Sequence, residues 1–101
     1  MRVISKERVN AFSKKHSRAL IPLNDLWYKL TKMNFSSFNE LKEVFSTVDF
    51  IGEDRFVFNV GGNKFRLIAM IFFKRRLVYI RGIFTHREYD ELCKSNSLLT
   101  L

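Results

Sequence analysis

A Gly-Gly-Asn turn at residues 61–63 constrains the fold of this chain more than any other feature of its sequence. The turn lies between two runs that are rich in apolar, aromatic and basic side chains, "RFVFNV" (55–60) and "KFRLIAMIFF" (64–73). Two such runs joined by two residues that tolerate positive φ are typical of a β-hairpin. The sequence therefore predicts a hairpin whose turn is either Gly61-Gly62 or Gly62-Asn63.

The rest of the chain extends this hairpin into an α+β fold. "LVYIRGIF" (77–84) follows a KRR loop and adds a third antiparallel strand, and "RVI" (2–4) is a candidate edge strand. Before residue 49 the apolar spacing is helical: Ser5 is a candidate N-cap, Pro22 suits a first helical turn, and "SFNE" (37–40) has the capping-box pattern. "THRE" (85–88) repeats that pattern and opens a short C-terminal helix. We expect one domain over residues 1–101, with the N-terminal helices on one face of a three- to four-stranded antiparallel sheet.

The charge distribution indicates a polyanionic partner. The net charge is +8, and the segment from 55 to 87 contains eight basic residues and no Asp or Glu. Such a segregated field favours nucleic acid, a membrane surface or an acidic protein as the ligand. No apolar run approaches the ~20 residues that a membrane span needs. No secretory signal is visible and a lone cysteine cannot form an internal disulfide, so we expect a cytoplasmic protein.

Alternation along the predicted strands places Arg66 on the face away from the core. Phe65, Leu67 and Ala69 take the other face, which is almost purely apolar and should receive the helices. The face of Arg81 stays open, because a three-residue and a four-residue KRR loop give it opposite faces. If both arginines share a face, their guanidinium groups can converge on a phosphate. Taken singly, either arginine is a solvated surface residue.

Two residues of the predicted C-terminal helix can transfer protons. His86 would be the first helical residue, where the positive end of the helix dipole disfavours an imidazolium and leaves a neutral ring that can accept a proton. Tyr89 lies three residues later on the same side, as a proton donor or a stacking platform. The alternative for His86 is a surface residue beside a helix cap that has no catalytic role. Two histidines far apart and no carboxylate cluster in the basic segment predict neither a catalytic metal nor a cofactor.

At this point the sequence resembles a known family. "FVFNVGGNKFRLIAMIFF" followed by "VYIRGIFTHREYD" closely resembles the HigB family of bacterial type II toxins, which is related to RelE-like mRNA interferases. "RVISKERV" and "LKEVFSTVDFI" extend the resemblance over most of the chain. The resemblance implies a RelE-like fold, with helices on one sheet face and RNA on the other. It also implies a ribosome-associated endoribonuclease that cuts translated mRNA, and a HigA-type helix-turn-helix antitoxin that binds and inhibits it.

Carried over residue by residue, the resemblance assigns catalysis to Arg66, Arg81, His86 and Tyr89. Metal-independent attack by the RNA 2′-hydroxyl would need two proton-transfer groups and a cationic clamp, and these four residues supply them. The RNA-binding candidates are the neighbouring polar and basic residues: Asn63, Lys64, Lys74, Arg75, Arg76 and Arg87. Two alternatives remain, a non-catalytic RNA-binding module and an adaptor whose basic face recognises an acidic protein.

Overall fold

The computed structural model describes residues 1–101 and has an α+β architecture, which confirms the predicted fold class. Helices precede the main strands, and one helix follows them. The elements in chain order are β1 (Arg2–Ile4), α1 (Lys6–Lys15), α2 (Leu20–Lys32), α3 (Phe38–Val44), β2 (Asp49–Gly52), β3 (Arg55–Val60), β4 (Phe65–Phe72), β5 (Leu77–Thr85) and α4 (His86–Lys94). Short 3₁₀ turns lie at Ser17–Ala19, Phe73–Arg75 and Leu98–Thr100. None of the helices combines the length and the apolar character that crossing a membrane requires.

The sheet has five strands in the order β1-β5-β4-β3-β2. Strands β3 to β5 form the predicted antiparallel meander, and β2 extends it beside β3. The sheet has one strand more than the three to four expected, because no strand was predicted at β2, and the predicted edge strand β1 runs parallel to β5. Only three residues pair there, opposite Leu77–Tyr79, so β1 covers one end of the β5 edge.

One continuous core lies between helices α1 to α3 and one face of the sheet. It contains 19 buried residues, including Leu23, Leu26 and Leu30 from α2. Strand β4 contributes Phe65, Leu67, Ala69 and Ile71 to this core. The alternation predicted for β4 is therefore correct, and Arg66 lies on the opposite side, which we call the outer face.

The connection between β3 and β4 is longer than the two-residue turn that the sequence predicted. Val60 pairs with Phe65, so the connection has four residues, 61–64, and within it the Lys64 amide donates to the Gly61 carbonyl at 3.4 Å. Gly61 and Gly62 have φ values of 63° and 69°, a backbone conformation that residues with a Cβ rarely adopt. The two glycines are needed for this backbone conformation.

The face of Arg81 is decided by a β-bulge as well as by the loop. Phe72 pairs with Leu77, so the loop before β5 has four residues. Further along, Ile68 pairs with Gly82 while Ala69 pairs with Ile80, which leaves Arg81 as the extra residue of β5. A bulge of this kind re-aims the side chain of the extra residue. Strand alternation alone could not predict its direction.

The predicted packing left the outer face uncovered, but in the structure part of it is covered. Helix α4 contacts β4 and β5, and the 3₁₀ turn Leu98–Thr100 contacts β2. The C-terminal segment, residues 95–101, therefore lies across this side of the sheet. Part of the outer face is therefore covered by α4 and by this segment.

Candidate active site on the outer face

Arg66 is a buried arginine with no carboxylate partner. Only 8% of the residue is exposed, and its side chain forms no salt bridge. Its Nη1 donates to the Phe65 carbonyl at 3.1 Å, and its Nη2 lies 3.1 Å from His86 Nδ1. Arginine is seldom buried without a compensating anion. The uncompensated charge makes this position a candidate anion site.

Helix α4 and the hairpin turn together place His86 beside Arg66. Thr85 Oγ1 accepts from the Glu88 amide at 3.2 Å, and Glu88 Oε1 accepts from the Thr85 amide at 2.9 Å, so the predicted capping box is complete. The His86 amide also donates to the Lys64 carbonyl at 3.0 Å. These bonds fix the first turn of α4 against the end of the β3–β4 hairpin.

The two ring nitrogens of His86 have partners of opposite character. Nδ1 faces the Arg66 guanidinium, and Nε2 lies 3.3 Å from Asp90 Oδ2. Because a guanidinium group only donates hydrogen bonds, Nδ1 must accept here, and a neutral ring carries its proton on Nε2. That proton is then donated to Asp90. In this tautomer the Nδ1 lone pair points at the Arg66 guanidinium group.

Tyr89 completes this cluster and is held in its protonated form. The Arg66 Cζ lies 5.6 Å from the centre of the Tyr89 ring, within cation–π range. Burial raises the pKa of Tyr89 to about 12; a side-chain hydrogen bond with Cys93 acts in the same direction, and the Arg66 charge opposes it. Near neutral pH the phenol can therefore donate a proton, but it cannot act as a phenolate base.

Arg81 lies apart from the other three predicted catalytic residues. It is exposed, and its Nε donates to the Leu101 carbonyl at 2.9 Å. It forms no hydrogen bond with Arg66, His86 or Tyr89. It lies three residue steps along β5 from Phe84, the partner of Arg66, which is roughly 10 Å in an extended strand. The structure thus brings together Arg66, His86 and Tyr89, with Arg81 at a neighbouring position.

The predicted RNA-binding residues fall into two groups at opposite ends of β4. Asn63 and Lys64 are exposed in the hairpin turn beside His86, and exposed Arg87 pairs with Glu91 at 3.9 Å. The loop residues Lys74, Arg75 and Arg76 are exposed beyond the other end. Seven residue steps of β4 separate the two ends, roughly 23 Å. A single nucleotide could not contact both groups.

Sequence reasoning missed Asp90, which contacts the proposed catalytic histidine. Its i,i+4 spacing from His86 was a usable signal, because residues so spaced are neighbours on a helix surface. Arg55 was counted in the basic segment but was not assigned a role; its side chain reaches Leu101, far away in sequence. No local pattern indicates that contact.

Known proteins similar to this chain are toxins. A family model described as HigB_toxin, the RelE-like toxic component of a toxin–antitoxin system, matches residues 20–92. The mRNA interferase toxin HigB of Escherichia coli K12 is 35% identical over 92 residues, which cover 89% of this chain and 88% of that protein. The mRNA interferase HigB of Shigella flexneri matches equally well. That of Escherichia coli O6:H1 is 30% identical over 96 residues, covering 93% of each chain.

Proposed function

Because the chain belongs to the HigB family, the RelE-like toxic components of toxin–antitoxin systems, we propose that it is an mRNA interferase. The relatives that carry this name align with 89% or more of the chain. The observation that carries the proposal is the cluster of Arg66, His86 and Tyr89. A buried guanidinium without an anion, an imidazole and a protonated phenol are together the groups that RNA cleavage needs.

The first step uses the nucleophile that RNA itself supplies, the 2′-hydroxyl. A phosphate bound to Arg66 competes for the Nη2 donor that now faces His86 Nδ1. Release of that hydrogen bond frees the Nδ1 lone pair to accept the 2′-hydroxyl proton, as a general base does. Asp90, on the far side of the ring, then stabilises the imidazolium that forms.

The second requirement is a proton for the departing 5′ oxygen. Tyr89 keeps its proton at neutral pH, so it is the candidate general acid. Arg66 stabilises the negative charge that builds up on the phosphorane, and its buried position strengthens that interaction. Proton transfer and charge stabilisation thus come from side chains, in a metal-independent reaction. The products would be a 2′,3′-cyclic phosphate and a 5′-hydroxyl.

The proposed setting is a translating ribosome in the cytoplasm, and the proposed inhibitor is a HigA-type helix-turn-helix antitoxin. The acid-free basic segment supports both partners, since mRNA and an acidic antitoxin segment would be attracted to the same charges. We expect toxin and antitoxin to form a hetero-oligomer. Binding dominated by such charges should weaken as salt rises.

A translation assay tests the proposal against a non-catalytic RNA-binding module. Wild-type protein is added to an in vitro translation reaction, and primer extension maps the mRNA ends. New ends at defined positions, absent when His86→Ala replaces the wild type, are the expected result. Protection of the mRNA without new ends would favour the binding module.

A further inference from the structure

We propose that Arg55 and Arg81 form a second phosphate-binding site, which the C-terminal segment fills when RNA is absent. The ligand is a backbone phosphate of the same single-stranded RNA, so the inference rests on the proposed function for the identity of its ligand. The cluster around His86 does not account for this site, and the family match ends before Leu101, whose carbonyl oxygen the two arginines contact.

Two guanidinium groups converge on one oxygen atom at this site. Arg81 Nε and Arg55 Nη2 each donate to the main-chain carbonyl oxygen of Leu101 at 2.9 Å. The arginines come from different strands, β5 and β3, and β4 lies between them. Convergence from two strands on a single acceptor is the arrangement that one phosphate oxygen would require.

Arg55 carries an unmet requirement as well. Only 13% of its side chain is exposed, and its Nε is buried without a hydrogen-bond partner. Its Nη1 donates to the Glu53 carbonyl at 3.0 Å, and the Glu53 carboxylate lies 3.7 Å away. A buried N–H group without an acceptor is costly, so Arg55 Nε would gain from an additional acceptor.

A phosphate satisfies these donors better than the Leu101 carbonyl does. Leu101 presents a single oxygen to the two guanidinium groups, whereas a phosphate presents several oxygens that share its negative charge. A phosphate can also accept from more than one nitrogen of a guanidinium group, which gives Arg55 Nε an acceptor. RNA should therefore displace the C-terminal segment.

The spacing identifies which phosphate binds here. Arg81 lies roughly 10 Å along β5 from Phe84, the strand neighbour of Arg66. The two guanidinium groups share no acceptor in the structure, because Arg66 donates to the Phe65 carbonyl and Arg81 donates to the Leu101 carbonyl. Arg66 then faces the scissile phosphate, and the Arg55–Arg81 site takes a neighbouring one. The site would set the register of the RNA strand over His86.

The binding test uses a 2′-O-methyl RNA octamer, which lacks the nucleophile and cannot be cleaved. Its affinity is measured by fluorescence anisotropy at several salt concentrations for wild type, Arg81→Gln, Arg55→Gln and the double variant. Arg18→Gln, which removes an exposed charge on the helical side, is the matched control. Arg81 is exposed, so its variant gives a result even if Arg55→Gln does not fold.

The salt slope is the slope of the logarithm of the association constant against the logarithm of the salt concentration. Each single variant should lower its magnitude by about 0.7, the value for one phosphate contact on a single strand. The double variant should lose little more, because both arginines hold the same phosphate. The control should keep the wild-type slope. Equal slopes for Arg81→Gln and the control, or two independent losses that add in the double variant, would overturn the shared site.

Displacement of the C-terminal segment is measured separately by ¹⁵N relaxation of residues 98–101. Saturating octamer should lower their heteronuclear NOE values to those of a free chain end, while β4 stays unchanged. Unchanged NOE values with RNA bound would overturn the displacement. Neither measurement depends on cleavage. Intact RNA binding without any nuclease activity would count against the proposed function alone. Cleavage by the wild type, together with an unaltered salt dependence of binding in Arg81→Gln, would count against this site alone.

Discussion

Replacing Asp90 with alanine should slow RNA cleavage modestly, and only through His86. The Asp90 carboxylate lies 3.3 Å from His86 Nε2, and the two side chains are 50% and 54% exposed. Water screens a pair this exposed, so its contribution is limited to ~0.2–1 kcal/mol. At the upper end, losing the pair when the imidazolium forms raises the barrier by ~1 kcal/mol, or about five-fold in rate.

Single-turnover cleavage measures this effect in a double-mutant cycle. Rates are compared for wild type, Asp90→Ala, His86→Ala and the double variant, with Asp90→Asn as a variant that keeps a hydrogen-bond acceptor without the charge. His86→Ala should cost ~10²–10⁴-fold, the usual value of general acid–base catalysis. In that background, Asp90→Ala should have no further effect, because the residue through which it acts is gone.

Glu91 provides the matched control. It lies on the same helix and forms an i,i+4 pair with Arg87 at 3.9 Å, without contact to His86. Glu91→Ala should leave the cleavage rate near that of the wild type. An equal loss for Asp90→Ala with and without His86 would refute the idea that Asp90 acts on the imidazole.

Three further predictions concern the supports of the cluster. The folded-state pKa of Tyr89 is about 12, above its ordinary 10.0, so the folding stability that its protonated form contributes is complete below pH 10 and is lost as the pH rises toward 12. Tyr89→Phe should therefore make the unfolding free energy depend less on pH over that range. Identical pH dependence in the variant and the wild type would contradict this. Thr85→Ala removes the N-cap of α4, so it should lower the unfolding free energy measured by urea denaturation by ~1 kcal/mol and should also slow cleavage. A slower rate without a loss of stability would show that the cap is not what positions His86. In Gly62→Ala the added Cβ has no neighbouring atom within 4 Å, but φ stays at 69°, so backbone strain alone should lower the unfolding free energy by ~1–2 kcal/mol. Unchanged stability would show that this residue does not require positive φ.

Local chemistry made much of the fold predictable. The Gly61–Gly62 backbone, the capping box at Thr85 and the change from helical to strand spacing near Asp49 each depend on a few adjacent residues. The face of Arg66 followed from alternation within a single strand. Placing His86 on the first turn of α4 then brought it next to Arg66, because the same hairpin end anchors both.

Features that depend on distant pairing were not predictable. The bulge at Arg81 arises from the register between β4 and β5, which loop length alone does not determine. The contact of Arg55 and Arg81 with Leu101 joins residues 46 and 20 positions apart in sequence. Alternation along a strand carries no information about such contacts.

The central claim is that this cluster cleaves RNA through the 2′-hydroxyl of the nucleotide before the cut. The most direct measurement places a single 2′-deoxy nucleotide at a mapped cleavage position in an otherwise unmodified mRNA and analyses the ends. The account predicts that cleavage stops at that position alone, and that the unmodified mRNA yields 2′,3′-cyclic phosphate ends. Continued cleavage at the deoxy position would contradict it, because the nucleophile would then have to come from elsewhere.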